Sequence, residues 1–121
     1  MQLFSRAKKV LVADDEKDTC LYLKRYLERK NLKVTPAFDG VEAKKFIEEE
    51  RFDFFVLDCS MPKLTGLELI EVARQRNPGA RIALLSAFPS VTEAVVKRLG
   101  GDFFIQKPIQ LSDLDIIFKE G

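Results

Sequence analysis

Three stretches are apolar at every position: Val10-Leu11-Val12-Ala13, Phe54-Phe55-Val56-Leu57 and Ile82-Ala83-Leu84-Leu85. Short unbroken runs of this kind mark strands covered on both faces, as in a parallel sheet. Between them, apolar positions recur every three or four residues. Cys20, Leu23 and Leu27 share one face of a helix that opens after Asp15, with Lys17, Lys24, Glu28 and Arg29 largely elsewhere on the wheel and Asn31 as a left-handed stop. Leu32 to Ala37 is a weaker strand broken by Pro36, which suits an edge or a strand end. Asp39 with Glu42 starts a second helix, whose inner face is Ala43, Phe46 and Ile47. Thr65 with Glu68 forms a capping-box pattern for a third, carrying Leu69, Ile70 and Ala73 inward and ended by Asn77-Pro78-Gly79. Ser90 with Glu93 repeats that pattern for a fourth, with Val91, Ala94, Val95 and Leu99 inside and Gly100-Gly101 as its stop. Phe103 to Gln106 is the last strand, and Leu111, Leu114, Ile117 and Phe118 form a short amphipathic end segment.

Strands alternating with helices predict an α/β fold: a five-stranded parallel sheet, doubly wound, with five helices on both faces. Its expected strand order is 2-1-3-4-5, which makes the first and third strands neighbours across a switch point. A chain of 121 residues without repeats, low-complexity tracts or linkers reads as one domain over 1–121, with residues 1–7 as a flexible lead-in and any effector domain outside it.

The ends of the strands carry the chemistry. Asp14 and Asp15 follow the first strand, Asp58 the third, Ser86 the fourth and Lys107 the fifth, and open α/β sheets place ligands at these carboxyl ends. Each residue alone has a plain alternative: Asp58 as a loop cap, Asp15 as a helix cap, Ser86 as a strand end, Lys107 as solvated surface. Together they assemble three carboxylates in one cleft. Two ionised carboxylates in close contact repel by about 4 kcal/mol at an effective dielectric near 20, so the cleft calls for positive charge. A divalent, oxygen-seeking cation such as Mg²⁺ meets that need, with Lys107 as a second positive group. One carboxylate could then act as a nucleophile toward phosphorus, with the Ser86 hydroxyl donating to the product phosphoryl group.

Composition removes other classes. Lysine plus arginine number 20 and aspartate plus glutamate 19, which leaves no electrostatic footprint of a nucleic-acid or membrane binder and points to protein partners. The chain has no histidine, so a Ser-His triad and a phosphohistidine within it are excluded. Cys20 and Cys59 lie far apart without metal-ligand spacing, which excludes a zinc site. No apolar run is long enough for a signal or membrane segment, so a cytoplasmic location is the expectation. Neither GxGxxG nor a Walker lysine loop is present, against a nucleotide or flavin enzyme.

Asp14-Asp15 after the first strand, Asp58 with Met61-Pro62 and Gly66, Ser86-Ala87, and Phe104 three residues before Lys107-Pro108 resemble the receiver domain of two-component response regulators across essentially the whole length. The resemblance implies a flavodoxin-like fold and phosphoryl transfer from the phosphohistidine of a sensor histidine kinase, or from a phosphotransfer protein, to Asp58. It implies Mg²⁺ held by Asp15, Asp58 and the backbone carbonyl of Ser60, with Asp14 assisting through water. Lys107 would contact the phosphoryl group, and its bond to Pro108 would be cis. No enzyme activity is implied beyond the chain's own phosphorylation and slow autodephosphorylation. Ser86 and Phe104 would form the switch, altering the surface of the fourth helix, fifth strand and fifth helix, where Lys97, Arg98, Asp102 and Gln106 fall. That surface would meet an effector domain or a second copy. The alternative is a receiver-like interaction module that takes no phosphate. Phe104 lacks the hydroxyl often found at its position, so its switching would rest on packing alone, or the ring would be a core aromatic in a single state. Ser60 and Phe88 occupy positions that help set acyl-phosphate lifetime in this family, and bulky Phe88 is expected to shield the group. Cys59 reads as a small buried filler rather than a redox sensor.

Overall fold

A computed structural model describes residues 7–61 and 64–119. Most of the lead-in, residues 1–6, and Pro62 of the Met-Pro pair lie outside the described residues. The elements run in strict alternation: β1 Lys9–Ala13, α1 Lys17–Glu28, β2 Lys33–Ala37, α2 Gly40–Glu49, β3 Phe54–Asp58, α3 Gly66–Arg76, β4 Arg81–Ser86, α4 Glu93–Leu99, β5 Phe103–Gln106, and α5 Asp115–Phe118. All strand pairs are parallel and the order is β2-β1-β3-β4-β5. Pro36 sits in β2, at the sheet edge, where its missing N–H is tolerated.

Each strand feeds two cores because successive side chains point to opposite faces. From β1, Leu11 and Ala13 join Phe55, Leu57, Ile82 and Leu84 under α2, α3 and α4. Val10 and Val12 join Val56, Ala83 and Leu85 on the opposite face, against Cys20, Leu23 and Leu27 of α1 and Ile117 of α5. Full burial of side chains the size of Phe55 or Leu11 contributes roughly 1.5–3 kcal/mol each.

Local signals explain most of the boundaries. Asn31 adopts φ 63 and its N–H donates to Glu28 O at 3.1 Å, closing α1. Asp39 Oδ1 accepts from Glu42 N at 2.7 Å, and Glu42 Oε1 accepts from Phe38 N at 2.7 Å. Thr65 and Glu68 complete the capping box of α3.

The expectation for α4 needs correction, and two others gain detail. The cap of α4 is Thr92, whose Oγ1 accepts from Val95 N at 3.3 Å, not Ser90. Val91 is buried ahead of that cap and packs in the same core as Val96, a pairing that fixes where the chain enters the helix. The inward face therefore shifts to Val96, while Ala94 is exposed and Val95 and Leu99 are half-buried. The end segment is mixed, with a 3₁₀ turn over Leu111–Leu114 ahead of the four-residue α5, and its three-residue apolar spacing fits that tighter winding. Asp102 lies half-exposed between α4 and β5 and is also tied inward: its Oδ2 accepts from Ile82 N at 2.8 Å and from Arg74 Nη2 at 2.6 Å. Arg74, from α3, also donates to the carbonyls of Gly100, Pro78 and Ala80, which ties α3 to the far end of α4.

Candidate functional site

Parallel register carries the strand ends to one rim. Ala13 is level with Leu57, Leu57 with Leu84, and Ser86 with Gln106, so the residues that follow converge. The chain leaves β1 for α1 on one face and leaves β3 for α3 on the other. That divergence opens the crevice in which Asp14, Asp15 and Asp58 meet.

One carboxylate oxygen from each of the three lies within 4.8 Å of the others. Lys107 Nζ donates to Asp58 Oδ1 at 2.7 Å, and its backbone N–H donates to Ser86 O at 2.8 Å. The second bond hangs the lysine from the end of β4, and the peptide to Pro108 is cis, as expected. Ser86 is buried and its Oγ accepts from Phe88 N at 3.0 Å. Ser60 is exposed beside Asp58, Phe104 is half-buried against the core under α3 and α4, and Phe88 is 48% exposed. The structure thus brings together Asp14, Asp15, Asp58 and Lys107, with Ser86 at the end of the adjoining strand.

The aspartates differ in setting more than the sequence suggested. Asp15 is exposed, whereas Asp14 and Asp58 are buried at 1% and 3% exposure. Burial pushes the Asp14 carboxyl up to about 6, with Asp58 and Asp15 adding repulsion and the Glu16 amide and Lys107 opposing. Its Oδ1 accepts from Glu16 N at 2.9 Å, but its Oδ2 finds no hydrogen-bond partner among the described residues. Burial also raises Asp58, against the hydrogen bond and charge of Lys107. Lys107 loses solvation too, yet the Asp58 hydrogen bond and charge hold its ammonium above the ordinary lysine value.

An unpartnered buried carboxylate oxygen among three acids is a donor set that fits a hard divalent cation. The thiols do not enter this chemistry. Burial drives Cys20 up to about 11 and raises Cys59, so both stay protonated fillers. A groove of about 370 Å³ leads from Asp14 and Lys107 past Thr19, Leu23, Ala87 and Ile109. The sequence reading did not single out Thr19 or Ile109. The signal was the spacing of Thr19 and Leu23 along α1 beside the residue after Pro108, which becomes visible only once α1 and the β5 exit are known to adjoin.

The family model described as the response regulator receiver domain matches residues 10–119. The chain is 39% identical over 113 residues to the alkaline phosphatase synthesis transcriptional regulatory protein PhoP of Bacillus subtilis, covering 93% of this chain and 47% of that protein. It is 36% identical over 107 residues to the transcriptional regulatory protein PrrA of Mycobacterium tuberculosis, covering 88% and 46%. The chain thus spans about half the length of the curated relatives it matches. A Burkholderia pseudomallei response regulator, solved with a phosphorylated aspartic acid, calcium ion and citrate, superposes with TM-score 0.84 at 30% identity, covering 93% of this chain and 66% of that one. A CheY-like receiver domain protein from Methanospirillum hungatei superposes with TM-score 0.85 at 28% identity, covering 92% and 90%. No helix among the described residues is long and apolar enough to cross a membrane. With its sheet order, its acid cluster and these matches in agreement, the chain belongs to the response regulator receiver domain family of two-component systems.

Proposed function

We propose that the chain is a phosphorylation-dependent signalling switch in which Asp58 accepts a phosphoryl group from the phosphohistidine of a sensor histidine kinase or phosphotransfer protein. The observation that carries this reading is the 2.7 Å contact between Lys107 Nζ and Asp58 Oδ1 within a cluster of three acids. An Asp58 carboxylate oxygen forms the new bond to phosphorus as the bond from phosphorus to the donor imidazole nitrogen breaks. The electron pair leaves with that imidazole, which takes up a proton. Lys107 neutralises charge on the phosphoryl oxygens, and the Ser86 hydroxyl donates to one of them. Asp14, Asp15 and Asp58, with the Ser60 backbone carbonyl, would hold Mg²⁺, which when bound supplies charge neutralisation and a template for the phosphoryl oxygens.

The switch is Ser86 with Phe104, read out on the surface of α4, β5 and α5, where an effector domain or a second copy would dock in the cytoplasm. Phe104 already borders the core and carries no hydroxyl, so packing alone would choose its rotamer. Structures with and without a phosphoryl mimic should differ in that rotamer; an unmoved ring would remove Phe104 from the switch. Acetyl phosphate, with acetate as leaving group, tests the acceptor. With Mg²⁺ the chain should gain the mass of one phosphoryl group, and Asp58→Asn should gain none. Absence of an Asp58-dependent gain would leave an interaction module that takes no phosphate.

A further inference from the structure

The loop leaving Asp58 is confined by two buried glycines. A Cβ on Gly66, at the start of α3, would lie 2.4 Å from the Asp58 backbone oxygen and 2.8 Å from Leu84 Cδ1. A Cβ on Gly40, at the start of α2, would lie 2.0 Å from the Leu64 backbone oxygen and 2.6 Å from Leu64 Cβ. Neither glycine has a positive φ, so close approach, not backbone conformation, demands it. The obstructing oxygens belong to main chain, which cannot swing aside like the end of a flexible side chain. Gly79 is the contrast, with open space where its Cβ would be.

The Gly40 contact joins the two halves of the acid cluster. Ala37, three residues before Gly40, accepts from Asp14 N at 3.0 Å and so ties the end of β1 to the exit of β2. Asp39 and Glu42 then fix the first turn of α2 on that exit. Gly40 in turn abuts Leu64, in the loop that runs from Asp58 past Ser60 to α3. The corner between β2 and α2 therefore touches the backbone of Asp14 on one side and the loop of Asp58 on the other.

We propose that Gly40 is a positioning residue for cation binding and phosphoryl acceptance: its contact with Leu64, with Gly66 beneath Asp58, sets where the Leu64 and Asp58 backbones stand relative to the β1 acids. This inference rests on the function proposed above. Its test needs no phosphodonor. Mg²⁺ is titrated into the 121-residue chain and the dissociation constant is read from amide resonances, with thermal melts run in parallel. Gly40→Ala should weaken Mg²⁺ binding by about tenfold or more, as loss of support behind metal ligands does, while Gly79→Ala should leave it unchanged. An unchanged constant in folded Gly40→Ala overturns the proposal. Should Gly40→Ala not fold, Gly40→Ala with Leu64→Gly relieves part of the clash and should fold with weakened Mg²⁺ binding. A double variant that binds as wild type, or that still fails to fold, marks the contact as purely structural and also overturns it. If the wild type itself neither binds Mg²⁺ nor gains phosphoryl mass at Asp58, the function proposed above fails and takes this inference with it.

Discussion

At the residue scale, Asp14 pits burial against charge. Its folded carboxyl titrates near 6, above the ordinary aspartate value of 3.8, so between these values the folded state binds more protons than the unfolded one. The stability Asp14 contributes is complete below about 3.8 and is lost as pH rises through about 6. Without a divalent cation, Asp14→Asn should raise stability at neutral pH, on the order of 2 kcal/mol, and flatten the decline in melting temperature between pH 4 and 7. The same variant should lower the gain in melting temperature on adding Mg²⁺. Equal pH profiles for the two proteins would contradict this account. The sequence placed Asp14 in the cleft, and the family resemblance implies that it assists the cation through water. The structure adds its near-complete burial and orphaned oxygen, beside a local bond from Glu16 N to Oδ1 and a bond from its own N–H to Ala37 O that depends on the β1–β2 pairing.

At the element scale, capping decides where helices begin, and α4 shows how far sequence can take that inference. Ser90 and Glu93 offer the familiar spacing, yet Thr92 holds the position because Val91 and Val96 bury together. Thr92→Ala should cost about 1 kcal/mol in chemical denaturation, while Ser90→Ala should change little. The reverse ranking would return the cap to Ser90. For α2 and α3 the local pattern sufficed, since Asp39 and Thr65 each lie where their hydrogen bonds complete a cap. Local pattern could not reveal the tie of Asp102, whose partner Arg74 lies 28 residues away in α3.

At the scale of the whole molecule, the sheet order was legible because the unbroken apolar runs fall on β1, β3 and β4, the interior strands, while Pro36 marks the edge strand β2. That order alone brings Asp14, Asp15, Asp58 and Lys107 to a common rim from distant points in the chain. The sequence could not show the packing behind the rim, such as the approach of Gly40 to Leu64, because it joins elements that share no periodicity.

The four bonds of Arg74 bear on how a signal could leave that rim. Those to Gly100 O and Asp102 Oδ2 hold the far end of α4, whereas its opening turn is held by the Thr92 hydroxyl and buried Val91 after an exposed stretch over 87–90. A disturbance starting at Ser86 meets the opening turn first, so the helix should respond by swinging about a fixed heel instead of sliding as a rod. Hydrogen exchange should run faster over 93–95 than at 99–101, and Arg74→Met should erase that gradient while costing about 2–4 kcal/mol of stability. A gradient that persists in Arg74→Met would place the pivot elsewhere.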